Sequence, residues 1–230
     1  MRLLQNGCNK MGIELNETQI KKFGKFYDLL IYWNKKINLT AITEKEEVEA
    51  KHFLDSLTLI KTGYFIKGIN VLDVGAGAGF PSVPLAIVLE DINFTLLDSQ
   101  NKRVKFIEIV ITELELKNVA AIHERAENAA YLKEKYDIVT ARAVASLGVL
   151  CELCLPYLKI EGHFLAQKGE NKNEIKSAQN AIKILGGEMI GIIDAELEDH
   201  NHKIIDIEKI HKTPDMYPRK AGMPSKNPLK

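Results

Sequence analysis

The chain has 230 residues and a mass of 25.9 kDa, with 46% hydrophobic residues, 27% charged residues, 15 glycines and 7 prolines. That composition excludes disordered, collagen-like and fibrous proteins, and no run reaches the roughly 18–20 apolar residues a membrane helix needs. Basic and acidic residues balance at 31 each, yet residues 1–68 carry +3, 69–170 carry −4, 171–212 carry −2 and 213–230 carry +3, so a polyanionic partner would be met through the ends.

The start, MRLLQNGCNKMGIEL, lacks the apolar core of a secretion signal and assigns no element. Three cysteines (Cys8, Cys151, Cys154) cannot build a disulfide framework and fit a reducing cytoplasm. Residues 17–36 read as a helix, because Ile20, Phe23, Tyr27, Leu30 and Ile31 recur at helical spacing. Asn16 supplies an N-cap, with Gln19 in the capping-box position. A second helix is predicted over about 45–61, where Val48, Leu54 and Leu57 lie among charges. These helices define an N-terminal appendage, residues 1–68, set off by Gly63 and Gly68.

From Ile69 the pattern changes. Short β-rich runs at 69–75, 92–98, 119–123, 136–142 and 163–168 alternate with helical stretches near 81–90, 100–116, 146–158 and 171–185. Such alternation implies right-handed crossovers and a mostly parallel sheet covered on both faces. Two further strand-like stretches in 186–211, with no long helix between them, predict an antiparallel hairpin at the sheet edge. Residues 69–212 thus form an α/β core, and 213–230, holding four of the seven prolines, an extended basic tail.

The strongest local motif is Asp73-Val-Gly75-Ala-Gly77-Ala-Gly79-Phe80-Pro81, between an apolar strand and a helix. Glycines there let the backbone turn sharply and approach a ligand. A dinucleotide fingerprint would need glycine where Phe80 stands, which weakens an NAD reading. Asp98 ends the second strand, 19 residues after Gly79, where an α/β sheet sets an acid against a ribose. Ala126 and Glu127 follow the third strand, near where an adenine edge would lie. Together these residues describe a nucleoside cofactor that needs no pyrophosphate site.

The ordered series NLTAIT (38–43), KHFLDSL (51–57), LDVGAGAGFPSVPLAI (72–87), LLDSQNKRVKFI (96–107), HERAEN (123–128), ARAVASL (141–147), QKGE (167–170) and YPRKAGMPSKNPL (217–229) resembles the bacterial ribosomal RNA small-subunit methyltransferase G family, also called glucose-inhibited division protein B. The resemblance implies a Rossmann-like class I methyltransferase with a mostly parallel seven-stranded sheet, an antiparallel C-terminal hairpin and an N-terminal helical cap. It implies S-adenosylmethionine as cofactor and methylation of guanine N7 at position 527 of 16S ribosomal RNA, naked or in a small-subunit assembly. Expected cofactor contacts are Gly75, Gly77, Gly79, Phe80, Asp98, Ala126, Glu127 and Arg142. Arg142 and Lys168 are the expected catalytic positions, and Lys168, Arg219 and Lys220 the expected RNA contacts. A cytoplasmic monomer without metal or membrane attachment is the corresponding picture. Two features depart from the pattern: Ser82 stands where glycine is expected, and residues 1–15 offer no motif to match.

Other patterns point elsewhere. Cys151-Glu-Leu-Cys154 is a CxxC in an apolar helix, without the second pair or histidines of a zinc site, and reads as packing. His200 and His202 share a strand face but lack a third ligand. Phe23, Phe26, Tyr27, Tyr32 and Trp33 could stack on bases, yet at helical spacing they read as core. Two rival functions remain: methylation of a small molecule or protein, and a silent nucleotide-binding or ribosome-assembly module.

Overall fold

A computed structural model describes residues 1–142, 145–169, 172–195 and 202–229. Ala143 and Val144 of the ARAVASL block, Glu170, Asn171, His200 and Lys230 lie outside the described residues.

The N-terminal half is helical. Helix α1 (Arg2–Lys10), which the sequence left unassigned, buries Leu4 and Cys8, and Leu4 N donates to the carboxylate of buried Glu49 at 2.9 Å. Helix α2 (Glu17–Ile37) opens with the predicted capping box: Gln19 N donates to Asn16 Oδ1 at 2.9 Å, and Asn16 N to Gln19 Oε1 at 3.0 Å. It buries Phe23, Phe26 and Leu30, so those aromatics are core, while Tyr32 is exposed. Asn38 ends the helix in the left-handed conformation. Asn34 Oδ1 then accepts from Leu39 N and Thr40 N at 2.6 and 2.8 Å, fixing the NLT turn. The second predicted helix is composite: α3 (Lys45–Val48), a π-helical turn (Glu49–Leu54), α4 (Asp55–Leu57) and a 3-10 turn (Thr58–Thr62).

Seven strands form one sheet: β1 (Asn70–Val74), β2 (Asn93–Asp98), β3 (Val119–His123), β4 (Tyr136–Arg142), β5 (Leu158–Gly169), β6 (Gly187–Asp194) and β7 (His202–Lys209), in the order β3-β2-β1-β4-β5-β7-β6. The first five run parallel, and β7 is antiparallel to both β5 and β6, as predicted. The crossovers are α5 (Ser82–Val88), α6 (Asn101–Glu113) and α7 (Leu147–Cys154); α8 (Lys172–Ile184) leads into the hairpin. Helix α7 ends earlier than the predicted 146–158, passing into a 3-10 turn (Leu155–Tyr157) that contains Pro156, and β5 begins at Leu158 rather than 163. The polar stretch Lys159–Gly162 hid that start; it bends where Glu161 takes φ 66° and pairing with β4 shifts register.

Side chains alternate across the sheet. On one face Val71, Leu96, Ile138, Leu165 and Ile204 join α1, α2, α5 and α6 in a single hydrophobic cluster, so residues 1–68 complete a layer of the core. On the other face Leu72, Val74, Val139, Phe164 and Ile205 pack against α7 and α8. Cys151 and Cys154 belong to that second cluster, and burial raises both thiol pKa values above the usual range. The predicted extended tail is instead docked and includes a short helix, α9 (Met223–Lys226). Among the described residues no helix is long and apolar enough to cross a membrane.

Candidate active site

Most of the expected cofactor residues lie where the parallel strands end, which is where open α/β sheets bind ligands. After β1 the chain passes through Gly75, Gly77 and Gly79, with φ of 76°, 59° and 91°, a left-handed region that disfavours side chains. A Cβ at Gly79 would lie 2.6 Å from Val83 Cγ2, so this glycine is required by packing. At Gly77 a Cβ would meet only Gly75 O at 3.8 Å, leaving the outer side of the loop open.

Asp98, at the end of β2 and 3% exposed, binds the loop from its far side. Its Oδ2 accepts from Gly77 N at 2.9 Å and its Oδ1 from Gln100 N at 2.8 Å, with Arg103 Nη1 3.6 Å away. Each carboxylate oxygen has a second lone pair available to another donor. Beneath the loop, Asp73 is fully buried; its Oδ2 accepts from Ser82 N at 3.3 Å, while Asp73 Oδ1 and Ser82 Oγ have no hydrogen-bond partner among the described residues. Burial pushes the Asp73 carboxyl up to about 7, against the lowering effect of the adjacent Ser82 and of the Arg142 charge. Ala126 opens a 3-10 turn after β3 and its carbonyl accepts the Tyr157 hydroxyl proton. Glu127 Oε1 accepts from Gly222 N at 3.0 Å, joining the expected adenine side to the tail.

Arg142 ends β4 on the same face as Asp73, since Asp73 pairs with Thr140 two residues earlier. Its Nη1 donates to Asp55 Oδ2 at 3.0 Å and to Lys51 O at 3.3 Å, and Nη2 lies 3.3 Å from His52 Nδ1. The guanidinium also sits 4.9 Å from the Phe80 ring centroid. His52 stacks on the same ring at 4.5 Å and 23°, and Phe26 lies 5.3 Å from it, tying the loop to the N-terminal helices. Asp55 Oδ1 bonds His202 Nδ1 at 2.8 Å, and Asp55 O accepts from Gln167 Nε2 at 2.7 Å. Burial of Asp55 favours its neutral form, but the bond from His202 and the charge of Arg142 outweigh it and hold the pKa below the ordinary value. Burial, reinforced by Arg142, lowers His52 to about 4, so its ring is neutral at pH 7.

The structure therefore brings Phe80, Asp98 and Arg142 to one strand-end region and adds His52, Asp55, Gln167 and His202. Sequence reasoning quoted the motif that contains His52 and Asp55 but gave neither a role. Of the two histidines on one predicted strand face, His202 is Asp55's partner and His200 lies outside the described residues; among the described residues no group of three His, Cys, Asp or Glu is arranged to hold a metal. Lys168 projects to the opposite sheet face from Gln167, where it binds Ala145 O at 2.7 Å and pairs with Glu174. Arg219 makes a two-point ion pair with Glu152, which is 1% exposed, through Nε at 2.8 Å and Nη2 at 2.6 Å. Its geometry anchors the tail. Lys220 is exposed.

Solved structures of similar fold include an S-adenosylmethionine-dependent O-methyltransferase from Thermotoga maritima (TM-score 0.56, 15% identity, 80% of this chain and 72% of that one). Another is an S-adenosylmethionine-dependent methyltransferase from Aquifex aeolicus (TM-score 0.55, 17% identity, 72% of this chain and 94% of that one). The strand order and these likenesses define the Rossmann-like fold of class I methyltransferases. Residues 19–203 match the family model described as rRNA small subunit methyltransferase G. Curated relatives of that name come from Clostridium perfringens, 49% identical over 99% of this chain and 98% of the relative, and Alkaliphilus metalliredigens, 47% identical over the same shares. The chain belongs to the ribosomal RNA small subunit methyltransferase G family. Those alignments take in nearly all of the N-terminal residues that carried no recognisable motif.

Proposed function

We propose that the chain transfers a methyl group from S-adenosylmethionine to N7 of a guanosine in 16S ribosomal RNA, at position 527 by family resemblance. The observation that carries this reading is full-length membership in a ribosomal RNA methyltransferase family, joined to a glycine loop whose outer side is open at Gly77. The residues present suit the cofactor. The remaining lone pairs of Asp98 suit ribose hydroxyls, the loop gives close backbone approach, and the turn at Ala126 and Glu127 offers polar groups for an adenine edge. Arg142 suits a carboxylate or the O6 edge of a base, with two N–H groups unengaged among the described residues. Bound there, S-adenosylmethionine supplies a methyl group activated on a sulfonium.

Guanine N7 carries a lone pair and no hydrogen, so the protein need remove no proton before the bond forms. The work of the chain is alignment: Phe80 and Arg142 shape the mouth of the site, and binding energy orients the base. Polar and carboxylate groups near the ring favour the positive charge it gains. Lys220, exposed on the docked tail, is an RNA-facing cation, with Lys168 holding the loop at Ala145 and Arg219 placing the tail. Calorimetric titration with S-adenosylmethionine and with NAD tests the cofactor, and methyl transfer from labelled S-adenosylmethionine to 16S ribosomal RNA tests the reaction. Tight NAD binding without a response to S-adenosylmethionine would overturn the reading.

A further inference from the structure

We propose that Asp55 is a positioning residue for the methyl-transfer site, holding Arg142 over the Phe80 ring so that its unengaged N–H groups face the ligand. The proposal rests on the assignment of Arg142 to the cofactor or base. Arginine has five N–H donors in a rigid plane. Nη1 gives two, to Asp55 Oδ2 and Lys51 O, and Nη2 lies 3.3 Å from His52 Nδ1, all on the turn Glu49–Leu54 and the residue after it. The N-terminal helices therefore fix the guanidinium plane, and the end of β4 only delivers it. Asp55 is itself held from several sides: it is 1% exposed, its second oxygen bonds His202 at the start of β7, and its carbonyl is bound by Gln167 on β5.

A buried ion pair gives little net stability when two apolar groups could fill the same space, so its presence says more about placement than about folding energy. The placement reaches further. His52 Nδ1 lies 3.1 Å from Lys51 O and 3.3 Å from Arg142 Nη2, and His52 Nε2 lies 2.8 Å from Thr40 Oγ1, so the imidazole is fixed between this turn and the NLT segment. Thr40 Oγ1 also accepts from Ile42 N at 3.0 Å. Asp55 thus sets Arg142, and the guanidinium and the His52 ring both press on the loop residue Phe80.

The test compares Asp55→Asn, Arg142→Gln and the double variant, with circular dichroism confirming the fold, for Kd of S-adenosylmethionine and for single-turnover rate on 16S ribosomal RNA. Asp55→Asn should raise Kd or lower the rate by roughly tenfold or more, the range for a lost hydrogen bond to a charged group. The double variant should be no worse than Arg142→Gln alone, because Asp55 acts through Arg142. Additive losses would overturn the proposal, as would an unchanged Asp55→Asn beside an impaired Arg142→Gln. If Arg142→Gln changes neither quantity, the assignment of Arg142 falls and the proposal falls with it. Nitrogen-15 spectra of the Arg142 guanidinium in the intact wild-type protein give a check that needs no variant to fold. Separate, slowly exchanging Nη1 and Nη2 resonances are expected of a held guanidinium, and a single averaged resonance from free rotation would overturn the arrangement.

Discussion

Replacing Asp98 with alanine should separate its bracing of the glycine loop from the ribose contact proposed for it. In the free protein its carboxylate accepts two backbone N–H bonds, from Gly77 at 2.9 Å and Gln100 at 2.8 Å, while 3% exposed. A hydrogen bond to a charged group contributes about 1.5–3 kcal/mol, but both amides lie at a site that water can reach once the side chain is gone. Asp98→Ala should therefore destabilise the fold by about 2–4 kcal/mol in all. For a chain of this length that corresponds to a fall in Tm of roughly 4–16 °C. Separately, losing the ribose acceptor should weaken S-adenosylmethionine binding by about 1.5–3 kcal/mol, a factor of roughly 10 to 150 in Kd. Asp98→Asn keeps one acceptor but turns an amide NH2 toward either Gly77 N–H or Gln100 N–H, so it should fall between wild type and alanine. Thermal denaturation without ligand measures the first effect and calorimetry the second. A Tm unchanged in the alanine variant would refute the loop-bracing argument, and a Kd within threefold of wild type would refute the ribose role.

Three further outcomes follow from named groups. Unfolded His52 protonates near 6.5 while the folded ring is held to about 4, so its contribution to stability is complete above pH 6.5 and is lost as pH falls toward 4. His52→Gln should flatten that limb by roughly 3 kcal/mol in denaturant titrations; His202, whose pKa Asp55 raises, acts in the opposite sense as pH rises. Glu152→Ala should leave Arg219 without its buried partner and release the tail, lowering stability by about 2–4 kcal/mol and exposing residues 213–229 to trypsin; a tail equally protected in the variant would contradict the docking. Finally, if N7 is the target, the single-turnover rate should be nearly flat from about pH 6 to 9. A log-linear rise, abolished by one Asp, Glu or His substitution that spares binding, would point to a target atom that must lose a proton.

The elements that sequence revealed are those whose pattern is local. Strands from Asn70 to Arg142 are short apolar runs between turn residues, and the Asn16–Gln19 capping box is written in four consecutive positions. Gly75, Gly77 and Gly79 announce a sharp turn because few other residues tolerate it. The residues it missed act across long separations. Asp55 meets Arg142 87 residues away and His202 147 away, and nothing in KHFLDSL distinguishes a buried positioning acid from a solvated one. The docking of Arg219 was hidden because a Pro-rich basic tail reads as unstructured and its partner Glu152 lies between Cys151 and Cys154 in an apolar helix. Helix α1 went unassigned because it is short, and its burial depends on Glu49 and Leu54, neither of them nearby in sequence.

The central claim is a chemical one, and ribosomal RNA itself records it. Purified protein and S-adenosylmethionine should be incubated with small subunits, and separately with naked 16S ribosomal RNA, from cells lacking this enzyme. Nuclease fragments are then mapped by mass spectrometry against controls without protein. The expected result is one added methyl group on a single guanosine, at the position equivalent to 527, eluting as 7-methylguanosine and absent from the Gly77→Val variant. A methyl group on another atom or another nucleotide, or no methylation of either substrate by protein that binds the cofactor, would contradict the account.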